Sequence, residues 1–138
     1  MSYKFLEHAT DAIIEVTAPN LNEAFTQAGL AVVDTTLDIK SVKEEEERYI
    51  AVAGSTLDYL LFDWLEAVIY QLITEGFAIC RFSVKITKEE SYTLEATVYG
   101  EQIDLKKHHF KVEIKAPTFH EMEIKQNGEI YMKFLLDL

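Results

Sequence analysis

Cysteine is almost absent: Cys80 is the single one in 138 residues. No internal disulfide can form, which suits a reducing compartment. Its setting in the apolar run "FAICRFSV" reads as an ordinary buried thiol rather than a nucleophile. Proline and glycine are also scarce, with two and five residues. There is therefore no Pro/Gly/Ser-rich linker, and no repeat interrupts the chain, so a single domain over residues 1–138 is expected. Basic residues are few, 13 Lys and Arg against 24 Asp and Glu, for a net charge of −11. Tight direct binding of nucleic acid needs cationic side chains to displace phosphate counterions, so this chain is not expected to bind it in that way. Its field suits a basic protein partner or a cation.

Long uncharged hydrophobic runs are missing too. The most apolar stretch, "LDYLLFDWLEAVIYQLI", carries Asp58, Asp63 and Glu66, and so reads as a core helix and not a membrane span. The opening "MSYKFLEHATD" has no basic segment followed by an apolar one, so a secretory signal is not expected and the expected location is the cytoplasm. No P-loop, G-x-G-x-x-G, G-x-S-x-G or EF-hand loop occurs. What is present is a hydrophobic content of 49%, enough for a soluble globular core.

Periodicity divides the chain into strand, strand, helix, strand, helix and a closing run of strands. "YKFL" and "AIIEVTA" (Ala12–Ala18) read as strands. Asn20 is a helix N-cap, with Glu23 completing a capping box. Leu21, Ala24, Phe25, Ala28, Ala31 and Val32 recur at helical spacing, which carries the helix to about Asp34. "SVKEEEERYIAVAG" reads as extended, with Glu44–Glu47 a solvated strand end. Ser55 and Asp58 repeat the capping signal before a second helix that runs to about Glu75 and ends at Gly76. That helix is apolar nearly all round, so it is expected to be covered on more than one side. The period then falls to two. Phe82–Ile86, Tyr92–Val98, Phe110–Ala116 and Ile130–Leu136 each alternate apolar with polar residues, and Asn127-Gly128 marks a hairpin. The expected fold is α+β: two helices, about seven or eight mostly antiparallel or mixed strands, and the second helix sandwiched by sheet.

Three places carry candidate chemistry. On the last strand Leu136 faces the core, so Asp137 points the other way, with Lys133 and Tyr131. Read alone, Asp137 is more readily a solvated terminal aspartate than a ligand. In "FLEHATDAIIEV", Glu7, His8 and Asp11 crowd a bend. No zinc-protease or structural-zinc spacing accompanies them, so a hydrogen-bonded structural His8 and a turn-capping Asp11 are the plainer readings. "YGEQIDLKKHHFKVEIKAPTFHEM" holds three of the four histidines and the one locally basic part of an acidic chain. By itself it reads as a loop of mixed charge.

Taken together the three segments resemble the archease family. The family's first motif, E-H-T-A-D, appears as Glu7-His8-Ala9-Thr10-Asp11, with the middle pair exchanged and the ionisable positions kept. Its second, G-E-x-x-D-x-x-K-H, appears as Gly100, Glu101, Asp104, Lys107 and His108. The following I/V-K-A-x-T-Y-H appears as Ile114 to His120, with Phe119 in place of Tyr. The terminal Asp-Ile is Asp137-Leu138 here. Order and spacing match over essentially the whole length.

The resemblance implies a protein cofactor and not an enzyme. It would promote guanylylation and multiple turnover of the RtcB-type RNA ligase of tRNA splicing, and broaden that ligase's nucleotide use. It implies a divalent cation, calcium first, with magnesium or manganese as alternatives. The implied ligands are Asp11, Asp137 and the α-carboxylate of Leu138, all hard anionic oxygens. His8, Lys107, Lys115 and His120 are the expected contacts with the ligase. Two competing readings are a metal-dependent phosphohydrolase using Asp11, Glu7 and His8, and a chaperone-like interaction module.

Overall fold

A computed structural model describes residues 1–6 and 10–138. Seven strands and two α-helices are found among them: β1 (Ser2–Leu6), β2 (Asp11–Ala18), α1 (Leu21–Thr36), β3 (Glu46–Gly54), α2 (Leu57–Ile69), β4 (Phe77–Lys88), β5 (Tyr92–Gln102), β6 (Ala116–Asn127) and β7 (Glu129–Asp137). They build two antiparallel sheets, one ordered β1-β2-β7-β6 and the other β3-β5-β4. Both helices touch strands of both sheets, α1 through β2 and β4, α2 through β3 and β6. The second helix is sandwiched by sheet as its sequence suggested, and α1 shares that layer with it. α1 can share that layer because a continuous face of it, including Ala24, Phe25, Ala28, Ala31, Val32 and Val33, is fully buried. One hydrophobic cluster runs through the whole interior, and Trp64 sits in it with its indole N–H donating to the Phe25 carbonyl at 2.9 Å. That bond ties α2 to α1 and satisfies the one polar atom of the largest buried side chain.

Local chemistry sets the helix ends. Asn20 caps α1 as its composition predicts, its side chain accepting from the Glu23 N–H at 3.0 Å. The cap of α2 is Thr56 and not Ser55, with the Thr56 hydroxyl accepting from the Tyr59 N–H. α2 ends at Ile69 and widens into a π-turn over Tyr70–Thr74, in which the Glu75 N–H donates to the Tyr70 carbonyl. Gly76 then takes φ +63, a left-handed backbone that suits glycine.

The stretch Phe110–Lys115 departs from expectation, since it joins no strand ladder. Its alternation survives in burial, with Ile114 buried and Lys111, Glu113 and Lys115 exposed. Its backbone is instead pinned at both ends, by Lys111 N–H to the Thr36 carbonyl at 2.7 Å and Lys115 N–H to the Asp137 carbonyl at 2.8 Å. Alternation reports which side faces a core. It does not report whether a partner strand lies alongside. Ser41 likewise closes a 3-10 turn, Ile39–Ser41, rather than opening an extended segment. Of the glutamate run, Glu44 is paired with Arg81 at 2.6 Å, while Glu46 and Glu47 begin β3.

Candidate functional site

The two ends of the chain meet in the four-stranded sheet. β2 pairs with β7 so that Asp11 stands directly opposite Asp137, Ala12 opposite Leu136 and Ile13 opposite Leu135. Directly opposed residues of an antiparallel pair share a face, with Cα atoms about 4.5–5.5 Å apart. Phe134 and Leu136 are fully buried on the inner face, so Asp137 and Asp11 lie on the outer one. Asp137 is exposed and Asp11 half-buried. The next same-face rung is apolar: Ile13 is 9% exposed and Leu135 only 2%. β7 is thus buried on both faces just below the aspartates, although its sequence suggested one apolar face.

The last residues are held from two directions. The Asp137 carbonyl accepts from Lys115 N–H, and the Leu138 side chain packs against the core cluster. The backbone that leads into Leu138 is therefore held on both sides. Among the described residues no three His, Cys, Asp or Glu side chains come together as a cation site. The donor set in question has two such side chains, Asp11 and Asp137, with a main-chain carboxylate as third. All are hard oxygens beside an apolar rung, a set that fits a hard divalent cation and offers nothing to a thiophilic one. Glu7 and His8, named from the sequence, lie outside the described residues.

The basic-looking segment forms a different structure. Glu101, 5% exposed, accepts from Lys107 Nζ at 2.9 Å on both oxygens, from His108 Nε2 at 2.8 Å and from the Lys43 N–H at 3.0 Å. His108 is fully buried, and its Nδ1 accepts from the Asp104 N–H at 3.0 Å. Nδ1 carries no proton in that arrangement, so Nε2–H is the donor to Glu101. The Asp104 carboxylate accepts from Lys106 N–H and Lys107 N–H, which folds the turn back on itself. The His108 carbonyl accepts from Asp38 N–H at 2.8 Å, joining the turn to the chain that follows α1. Hydrogen bonds from His108, Lys107 and the Lys43 N–H hold the Glu101 carboxyl at about 2. This knot absorbs Glu101, Asp104, Lys107 and His108 into one another. Reading the segment as a loop of mixed charge missed it, though the Glu-to-Lys-His spacing carried the signal.

Lys115 and His120 are exposed. His120 sits in a wide bulge of β6, where the residues between Thr118 and Glu123 oppose Phe134 alone and Glu121 takes φ +57. Phe119 of the same bulge stacks on Phe62 of α2 at 4.2 Å and meets Tyr59 edge-on at 5.7 Å. Cys80 is half-buried, donates to the Tyr99 carbonyl at 3.4 Å, and burial pushes its thiol up, away from nucleophile chemistry.

A sandwich with its helices inside, a paired-aspartate strand end and a Glu-His-Lys knot define a class of small α+β proteins with known relatives. The model of the Archease protein family matches residues 3–138, and the chain belongs to that family. It is 35% identical to the protein archease of Sulfurisphaera tokodaii over 137 residues, which is 99% of this chain and 98% of that one. It is 36% identical to the protein archease of Pyrococcus abyssi over 125 residues, covering 90% and 88%. The solution structure of protein 1598 from Methanobacterium thermoautotrophicum superposes with a TM-score of 0.85 at 33% identity, covering 99% of each chain. Among the described residues no helix is long and apolar enough to cross a membrane.

Proposed function

We infer that this chain is a non-catalytic activator of an RtcB-type RNA ligase in tRNA splicing, acting in the cytoplasm. It would raise guanylylation of the ligase's active-site histidine and allow repeated turnover. Membership of the archease family supports this reading, and the observation that carries it is the register that sets Asp11 against Asp137.

In this reading Asp11, Asp137 and the Leu138 α-carboxylate hold a divalent cation, calcium first, with magnesium or manganese as alternatives. The cation would supply a focus of positive charge at an otherwise acidic strand end. The chain's own residues set its place: the β2–β7 ladder orients the two side chains, and Lys115 N–H and the Leu138 side chain hold the end of β7. The strand end would dock at the ligase's nucleotide and metal site. Lys115 and His120, both exposed, are the stronger contacts from this chain, and His8 belongs with them by its motif. Lys107 has its ammonium engaged by Glu101, so its contribution is to hold the knot first and to meet the ligase second. The net charge of −11 favours approach to a basic cleft over approach to RNA.

The test is ligation by purified ligase at substrate excess. With this protein present, product should exceed the number of ligase molecules. If product stops at one equivalent with and without it, the reading fails.

A further inference from the structure

We propose that the free edge of β3, with the face of α2 beside it, is a second docking surface that takes an extended basic segment of a partner protein as an added strand. Among the described residues β3 is an edge strand, bonded in its sheet to β5 alone. Natural edges are normally blunted by charge, proline or bulges. The other edges follow that habit: β1 has five residues and carries Lys4, β4 has a register shift and carries Arg81, Lys85 and Lys88, and β6 has Pro117 and a wide bulge. β3 does not. Residues 49–53 read Tyr-Ile-Ala-Val-Ala, without charge or proline, and their register with β5 is unbroken.

A cavity of about 630 Å³ runs beside this edge. All five consecutive residues 49–53 line it, both parities together, as happens when a cavity follows a strand's edge and not one of its faces. Its other wall includes Asp63, Glu66 and Ala67 on one face of α2, with Tyr70 of the π-turn continuing that face. Asp63, Glu66 and Tyr70 are exposed. Main-chain groups on one side and two carboxylates on the other suit strand addition. The backbone bonds would give affinity, and side chains at every second position would meet the acidic wall. The complementary occupant therefore has Lys or Arg at alternate positions. A second copy fits poorly, because it would bring its own Asp63, Glu66 and net charge of −11 to the same groove.

The probe is a panel of decapeptides alternating lysine with valine, threonine or serine, titrated into the full chain and followed by amide NMR. The expected result is binding that protects alternate amides of residues 49–53 from exchange. Methylating the peptide backbone at alternate nitrogens should abolish it at unchanged charge. The surface double variant D63K/E66K should weaken it by at least about tenfold while circular dichroism stays unchanged. Three results would overturn the proposal: no peptide of the panel binds, the N-methylated peptides bind as well as their parents, or the free protein dimerises through β3 so that dilution alone uncovers these amides.

Discussion

Asp11 and Asp137 face each other across the β2–β7 ladder at opposite ends of the chain, on the outer face, one rung beyond the buried pair Ile13 and Leu135. Nothing in their local sequence requires this; the register does. Two carboxylates opposed in this way repel when no cation lies between them, since like charges directly opposite each other in a sheet are destabilising.

That repulsion makes a test with a change of sign. In chelator, Asp137→Asn should leave stability unchanged or raise it by about 0.5 kcal/mol. With millimolar calcium the order should reverse, because a wild type that holds the cation as proposed would gain binding energy that the variant lacks. Thermal unfolding with and without calcium, alongside calorimetric titration, reads both halves. A variant equally stabilised by calcium would remove Asp137 from the ligand set.

The Glu101 knot should behave as a buried network. Glu101→Ala leaves His108 Nε2–H and the Lys43 N–H without their acceptor, and should cost about 3 kcal/mol. Urea unfolding measures it.

Its pH dependence has a definite sign. The Glu101 carboxyl is lowered from 4.5 to about 2, so its contribution is complete above 4.5 and drains away as pH falls toward 2. The stability gap between wild type and Glu101→Gln should therefore be constant near neutrality and close across that acid window. A gap independent of pH would contradict the network.

Gly100→Ala should be severe. A Cβ there would collide with the Ala78 carbonyl oxygen, which is main chain and has no room to retreat. Gly100 stands opposite Ile79, next to the β4–β5 register shift between Ile79 and Arg81. A loss of about 3 kcal/mol or more is expected, with Glu101 displaced along with its strand. Phe119→Tyr should be nearly silent, since Phe119 is 47% exposed. Phe119→Ala loses the stack on Phe62 and should cost about 1 kcal/mol. Equilibrium unfolding of these three variants ranks them.

The sequence was most readable where structure is locally determined. Asn20 caps α1 because its side chain reaches an N–H three residues on, and Gly76 ends the second helical stretch because it tolerates positive φ. The hairpin at Asn127-Gly128 and the buried face of Ile130, Met132, Phe134 and Leu136 were legible for the same reason. Long-range pairing was not. Phe110–Ala116 alternates like a strand, yet up to Lys115 the chain passes the α1 terminus and the β7 end with single backbone bonds, and only Ala116 joins a ladder, as the first residue of β6. The burial of Leu135, the placing of both helices between the sheets and the bond from the Lys43 N–H to Glu101 each depend on residues far apart in the chain. Asp137 shows both sides. Its outward direction follows from strand parity, but its partner follows only from the β2–β7 register.

The central claim is that the paired strand end activates the ligase. The direct measurement is transfer of labelled GMP to the ligase, followed with wild type, with Asp11→Ala, and with a chain extended by a few residues beyond Leu138. Wild type should accelerate labelling, while Asp11→Ala and the extended chain, both folded, should leave it near the rate of ligase alone. Acceleration by all three alike would contradict the account.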